Sequence, residues 1–133
     1  MVDIALVAGA AIVAAVVLAA AAYKRRPETD WRRVTRRHLP HPNLKEEEIN
    51  KVYDRDDFEK AVVTSEVRHY SGKRVVNRAL KGRYTKNELL DDITEDVNKR
   101  AGDILLPQER KKVVNTSYNK ILGEWNRARK RRR

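Results

Sequence analysis

The first pattern along the chain is one of absence. Residues Ile4 to Tyr23 carry no charge, no Asn, Gln, Ser or Thr, and no Pro. As a helix this run of 20 residues measures roughly 30 Å, the thickness of a bilayer hydrocarbon core. It has no polar face, as a core helix of so charged a chain would. Asp3 precedes it and Lys24, Arg25 and Arg26 follow it, the reverse of a cleavable signal peptide. The expectation is a transmembrane anchor over residues 1–23, with the N-terminus outside and residues 24–133 on the cytoplasmic, matrix or interior side. On this helix Ala8, Ala11, Ala15, Ala19 and Ala22 share one stripe, and Leu6, Val13 and Val17 lie opposite. Small residues let a second membrane helix approach closely.

The rest reads as helices. Asp30 is placed to cap Trp31 to Leu39, and Pro40 ends that stretch. His41-Pro42-Asn43 forms a connection, with Asn43 placed to cap Leu44 to Tyr53, which carries Ile49, Val52 and Tyr53 on one side. Asp54, Asp56 and Asp57 start a helix through Phe58, Val62 and Tyr70 that ends near Gly72. Val76, Ala79 and Leu80 precede Gly82. Thr85-Lys86-Asn87-Glu88 is a capping box opening a helix with Leu89, Leu90, Ile93, Val97 and Ala101, and Gly102 suits its C′ position. Pro107 opens the last helix, where Val114, Tyr118, Ile121 and Trp125 form a packing seam. Ala61 to Val67 is rich enough in β-branched residues to suit a strand, but no second strand is evident to pair with it. The reading is all-α: one N-terminal transmembrane helix and a small helical domain of four to five helices. Residues 24–43 are a basic juxtamembrane amphipathic segment and linker, 44–126 the helical domain, and 127–133 a basic tail.

Charge sharpens this division. The chain of 133 residues carries a formal charge of +11. Residues 24–38 hold seven basic and two acidic side chains, and residues 124–133 six and one. The stretch between them averages close to neutral, unlike a uniformly basic nucleic-acid fold. Lys24, Arg25, Arg26, Arg32, Arg33, Arg36 and Arg37, with Trp31, suit anionic lipid headgroups. Residues 4–39, an anchor followed by an Arg-rich amphipathic stretch, resemble the uncleaved targeting arrangement of some mitochondrial inner-membrane proteins, although Glu28 and Asp30 depart from its acid-poor pattern. Arg127, Arg129, Lys130, Arg131, Arg132 and Arg133 suit a polyanion or an acidic partner surface. No aromatic follows Trp125, so a nucleic acid held there would be held nonspecifically.

Chemistry is scarce. With no Cys, thiolate zinc sites and thiol nucleophiles are excluded. His38, His41 and His69 show no metal-ligand spacing. Asp54, Asp56 and Asp57 lack the glycine and terminal Glu of a calcium loop, and no glycine-rich phosphate loop is present. Asn115-Thr116-Ser117 matches a glycosylation acceptor but falls in a helix on the inside. No cofactor, small-molecule substrate or catalytic residue is expected. The resulting expectation is a non-catalytic, single-pass accessory subunit of a membrane-associated assembly, in contact with other subunits and anionic lipid. The alternative is a membrane tether that binds nucleic acid or a ribonucleoprotein nonspecifically through its basic tail.

Overall fold

The structure is a computed structural model that describes residues 29–132. The apolar run 4–23, its Ala stripe, Lys24, Arg25, Arg26 and Arg133 lie outside the described residues. The chain divides into two units, Met1–Asp30 and Trp31–Arg133. The second contains six helices among the described residues: α1 (Trp31–His38), α2 (Glu46–Ile49), α3 (Arg55–Tyr70), α4 (Lys73–Leu80), α5 (Lys86–Ala101) and α6 (Pro107–Arg131). No strand occurs among the described residues, and none of their helices is long and apolar enough to cross a membrane.

Helix α3 is the centre. Asp54 caps it by accepting the Asp57 backbone N–H at 2.8 Å, and Asp57 accepts the Tyr53 N–H at 3.0 Å. Its buried residues include Phe58, Ala61, Val62, Val63, Ser65, Glu66 and Tyr70, which leave little polar face. That is why the β-branched stretch 61–67 is helical: neighbouring helices bury it from several sides, and this packing outweighs its strand propensity. The longest helix, α6, packs along α3 and α5. Val113, Val114, Ser117, Ile121 and Trp125 are its buried residues, while Tyr118 is half-buried against the same core. From α5, Leu89, Ile93, Val97 and Ala101 complete the interior at a strict four-residue spacing.

Helix boundaries follow local chemistry. Thr85 accepts the Glu88 N–H at 3.1 Å and Glu88 accepts the Thr85 N–H at 3.0 Å, the reciprocal pair expected of a capping box. Gly82 at φ 73° ends α4, with Arg83 N–H on the Arg78 carbonyl and Gly82 N–H on that of Ala79. This Schellman geometry needs a residue free of the Cβ penalty.

Three expectations change. Leu44 to Tyr53 holds a single helical turn, capped by the Lys45 N–H on Glu48 and not by Asn43. Asn43 instead donates its side-chain amide to the Ser65 carbonyl at 2.9 Å. Ile49 and Val52 are buried, but Tyr53 is 73% exposed because the chain breaks before α3. Gly102 keeps right-handed angles (φ −61°, ψ −30°), since the chain goes on turning and Arg110 bonds the carbonyls of Gly102 and Leu105.

Candidate functional site

Among the described residues, the two basic clusters fold differently from what their sequence suggested. Trp31 packs on Phe58, with ring centroids 5.7 Å apart, and the Arg55 guanidinium sits 5.8 Å from its ring. Thr35 and Leu39 are buried and Val34 is half-buried against the core. The apolar side of α1, expected to dip into headgroups, is therefore occupied by the protein's own interior; periodicity shows that a face is apolar but not what covers it. Arg32, Arg33, Arg36 and Arg37 remain on the exposed side, where Arg36 pairs with Glu46.

Arg127 to Arg131 are the last turns of α6, not a separate tail. Arg127 pairs with Glu124 at 2.9 Å and Arg129 donates to Asn126 at 3.0 Å. Arg132 donates to Asn77 of α4. An open groove of about 310 Å³ runs between α4 and this end of α6, lined among others by Lys73, Asn77, Glu124, Arg131 and Arg132. Exposed Lys73, Arg74, Arg78, Lys81 and Arg83 adjoin it in sequence, with no acid among residues 73–83. The near-neutral average of the central stretch concealed this second basic run; a shorter counting window would have found it. The fold brings Lys73 of this run beside Arg131 and Arg132 in one basic surface.

This surface lies far from where the chain enters the domain. Arg55 holds Trp31 on one side and Glu109 on the other, at 2.7 Å, so the start of α1 sits beside the first turn of α6. From Glu109 to Arg131, α6 runs roughly 33 Å.

A second constellation is internal. The turn after α1 is tied to α3: the His41 N–H donates to Ser65 Oγ at 3.2 Å, and that hydroxyl donates to the His41 carbonyl at 3.1 Å. This aims the His41 imidazole at Glu66 of α3 and Asp96 of α5. Its Nε2 lies 3.2 Å from Asp96 Oδ2 and 3.6 Å from Glu66 Oε1. Tyr70 donates its hydroxyl to Asp96 Oδ2 at 2.6 Å, and the His69 ring stacks on His41 at 3.7 Å. His38 takes no part; its Nδ1 lies 2.8 Å from the Arg100 carbonyl.

Electrostatics here are tightly linked. Burial alone would lower the His41 pKa, but the Asp96 and Glu66 carboxylates outweigh it and lift it to about 9. Burial pushes Glu66 up to about 7, with His41 opposing and Asp96 adding to the rise. Burial tends to raise Asp96 as well, yet its bonds from His41 and Tyr70 keep it below its ordinary value. His69 is lowered by burial and by the charge of His41. Tyr70 is raised by burial and by its bond to Asp96.

Three metal-capable donors thus meet within 4.8 Å, although no local spacing announced them. The available signal was Glu66 itself, an acid in the apolar stripe Phe58, Val62, Tyr70 at four-residue spacing. No family model, curated protein or solved structure matches the chain.

Proposed function

We propose that this chain is a non-catalytic, single-pass membrane-anchored accessory subunit of a larger membrane-associated assembly, such as a respiratory or photosynthetic complex or an internal-membrane virion. The observation that carries this reading is the uncharged stretch Ile4–Tyr23 followed directly by Lys24, Arg25 and Arg26. It puts the N-terminus outside and the helical domain inside, with the Ala stripe against neighbouring membrane helices. The compact helical domain supports it. Exposed Arg side chains of α1 lie near the chain's entry, and the α4–α6 basic surface lies at the far end of α6, so the two can engage different partners. The groove between α3 and α6 also suits a scaffold better than an enzyme, because four of its charges pair with each other: Lys60 with Asp56 at 3.2 Å and Lys112 with Glu59 at 3.4 Å.

Gentle detergent solubilisation followed by mass spectrometry tests this. Co-purification in a detergent-stable complex is the expected result; a lone, monodisperse monomer refutes it. A second reading, a membrane tether that binds nucleic acid or a ribonucleoprotein through its basic tail, is favoured by Lys73 lying beside Arg131 and Arg132 in a groove with a single lining acid, Glu124. It requires nucleic-acid affinity that falls steeply with salt and depends on Arg127–Arg133. Binding that is absent or salt-independent removes it.

A further inference from the structure

The His41–Glu66–Asp96 cluster leaves a buried acid without a hydrogen bond. Glu66 is 0% exposed, and neither of its carboxylate oxygens has a hydrogen-bond partner among the described residues. The imidazole Nε2 lies 3.6 Å from Oε1, a distance beyond a hydrogen bond. A buried carboxylate in this state is costly, so such groups are normally protonated, paired or bound to a metal.

The spacing of the donors bears on which ion they can hold. A tetrahedral ion with bonds of about 2.0–2.1 Å holds neighbouring ligand atoms roughly 3.3–3.4 Å apart. Two of the three separations, those from His41 Nε2 at 3.2 and 3.6 Å, bracket that edge length, and all three donors lie within 4.8 Å of one another. Charge also closes: a neutral imidazole and two carboxylates balance one divalent cation. We propose that His41 Nε2, Glu66 and Asp96 Oδ2 bind a divalent transition-metal ion, with zinc the best match, that staples the connection after α1 to α3 and α5.

The donor set narrows the choice. Imidazole favours zinc and its neighbours over magnesium or calcium, and the lack of thiolate disfavours Cu(I). On binding, His41 yields its Nε2 proton to solvent and coordinates through the freed lone pair. The ligands are already supported by outer contacts: Tyr70 holds Asp96 and Ser65 clamps the His41 backbone at both N–H and carbonyl. The His41 and Asp96 side chains are 17% and 24% exposed, which leaves a path for an ion to enter and for water to take the fourth position. The ligands come from positions 41, 66 and 96, so one ion would cross-link three segments distant in sequence.

The full-length protein in mild detergent, stripped with EDTA, is titrated with zinc by calorimetry. The expected result is one site per chain and a Tm rise of about 10 °C at a hundredfold excess over Kd. Glu66→Gln and Asp96→Asn should each keep the far-UV circular dichroism and weaken zinc binding at least about a hundredfold. His38→Ala should bind as the parent does. Sub-stoichiometric uptake by the parent, or parental affinity in both ligand variants, overturns the proposal. A Glu66→Gln protein that is more stable than a zinc-indifferent parent also overturns it, because the cluster is then a protonated ion pair. Should the variants fail to fold, cobalt titration of the parent decides: intense tetrahedral d–d bands support the site, and a weak octahedral spectrum refutes it. The outcome is independent of whether the protein co-purifies with an assembly.

Discussion

Trp125 is the last buried residue before the basic end of α6, and Trp125→Phe tests what holds that end in place. The indole Nε1–H donates to the Tyr70 carbonyl at 2.9 Å in a buried setting. That carbonyl closes α3 and belongs to the final turn, whose acceptors have no partner within their own helix. Phenylalanine keeps an aromatic ring against Tyr84, whose ring centroid lies 5.8 Å away, but removes the donor. Leaving a buried carbonyl unsatisfied costs about 1–3 kcal/mol. The space vacated by the smaller ring adds about 1 kcal/mol. The loss should therefore reach about 2–4 kcal/mol, a fall in Tm of about 10–20 °C for a domain of this size. Urea unfolding followed by circular dichroism measures it. Trp31→Phe is the control: its ring is half-buried against Phe58, and the expected loss is below about 1 kcal/mol. The chain has two Trp residues, so fluorescence of each variant reports on the other indole. A Trp125→Phe protein within about 0.5 kcal/mol of the parent, or no weaker than the control, would refute the anchoring role.

Other consequences follow from the same contacts. Ile93→Ala empties a site with 0% exposure at the centre of the bundle and should cost about 2–5 kcal/mol by urea denaturation. Thr85→Ala breaks the capping box of α5, with an expected loss of about 1 kcal/mol in the same assay. Joint reversal Lys73→Glu with Arg131→Glu should flatten the log–log salt dependence of heparin or duplex binding by about 2 or more, with the fold unchanged by circular dichroism; an unaltered slope would place binding elsewhere. At low pH the informative group is Glu109, which Arg55 and the Leu106 N–H hold down at about 2. Its stabilisation is fully present above its ordinary pKa of 4.5 and is lost as pH falls through about 2. For a screened, partly exposed pair this is about 1 kcal/mol, so Glu109→Gln should narrow the stability difference between pH 5 and pH 2 by about that amount.

What the amino-acid order determined is what acts over four residues or fewer. The Asp54 cap, the Thr85–Glu88 reciprocal pair, the glycine stop at 82 and Pro107 at the start of α6 stand where local chemistry put them. The seam Val114, Ile121, Trp125 faces inward for the same reason: helical periodicity aligns side chains before any partner is known. The all-helical class of the domain follows from these signals together. What covers each face was a different matter. Trp31 and Leu39 form an apolar side that could have met lipid or protein, and only the placement of Phe58 beside Trp31 decided it. The basic surface needed α4 to lie against the end of α6. The His41 cluster needed a turn and two helices to bring positions 41, 66 and 96 within 4.8 Å. Burial then perturbed these groups, since the cost of charge depends on surroundings that distant parts of the chain supply.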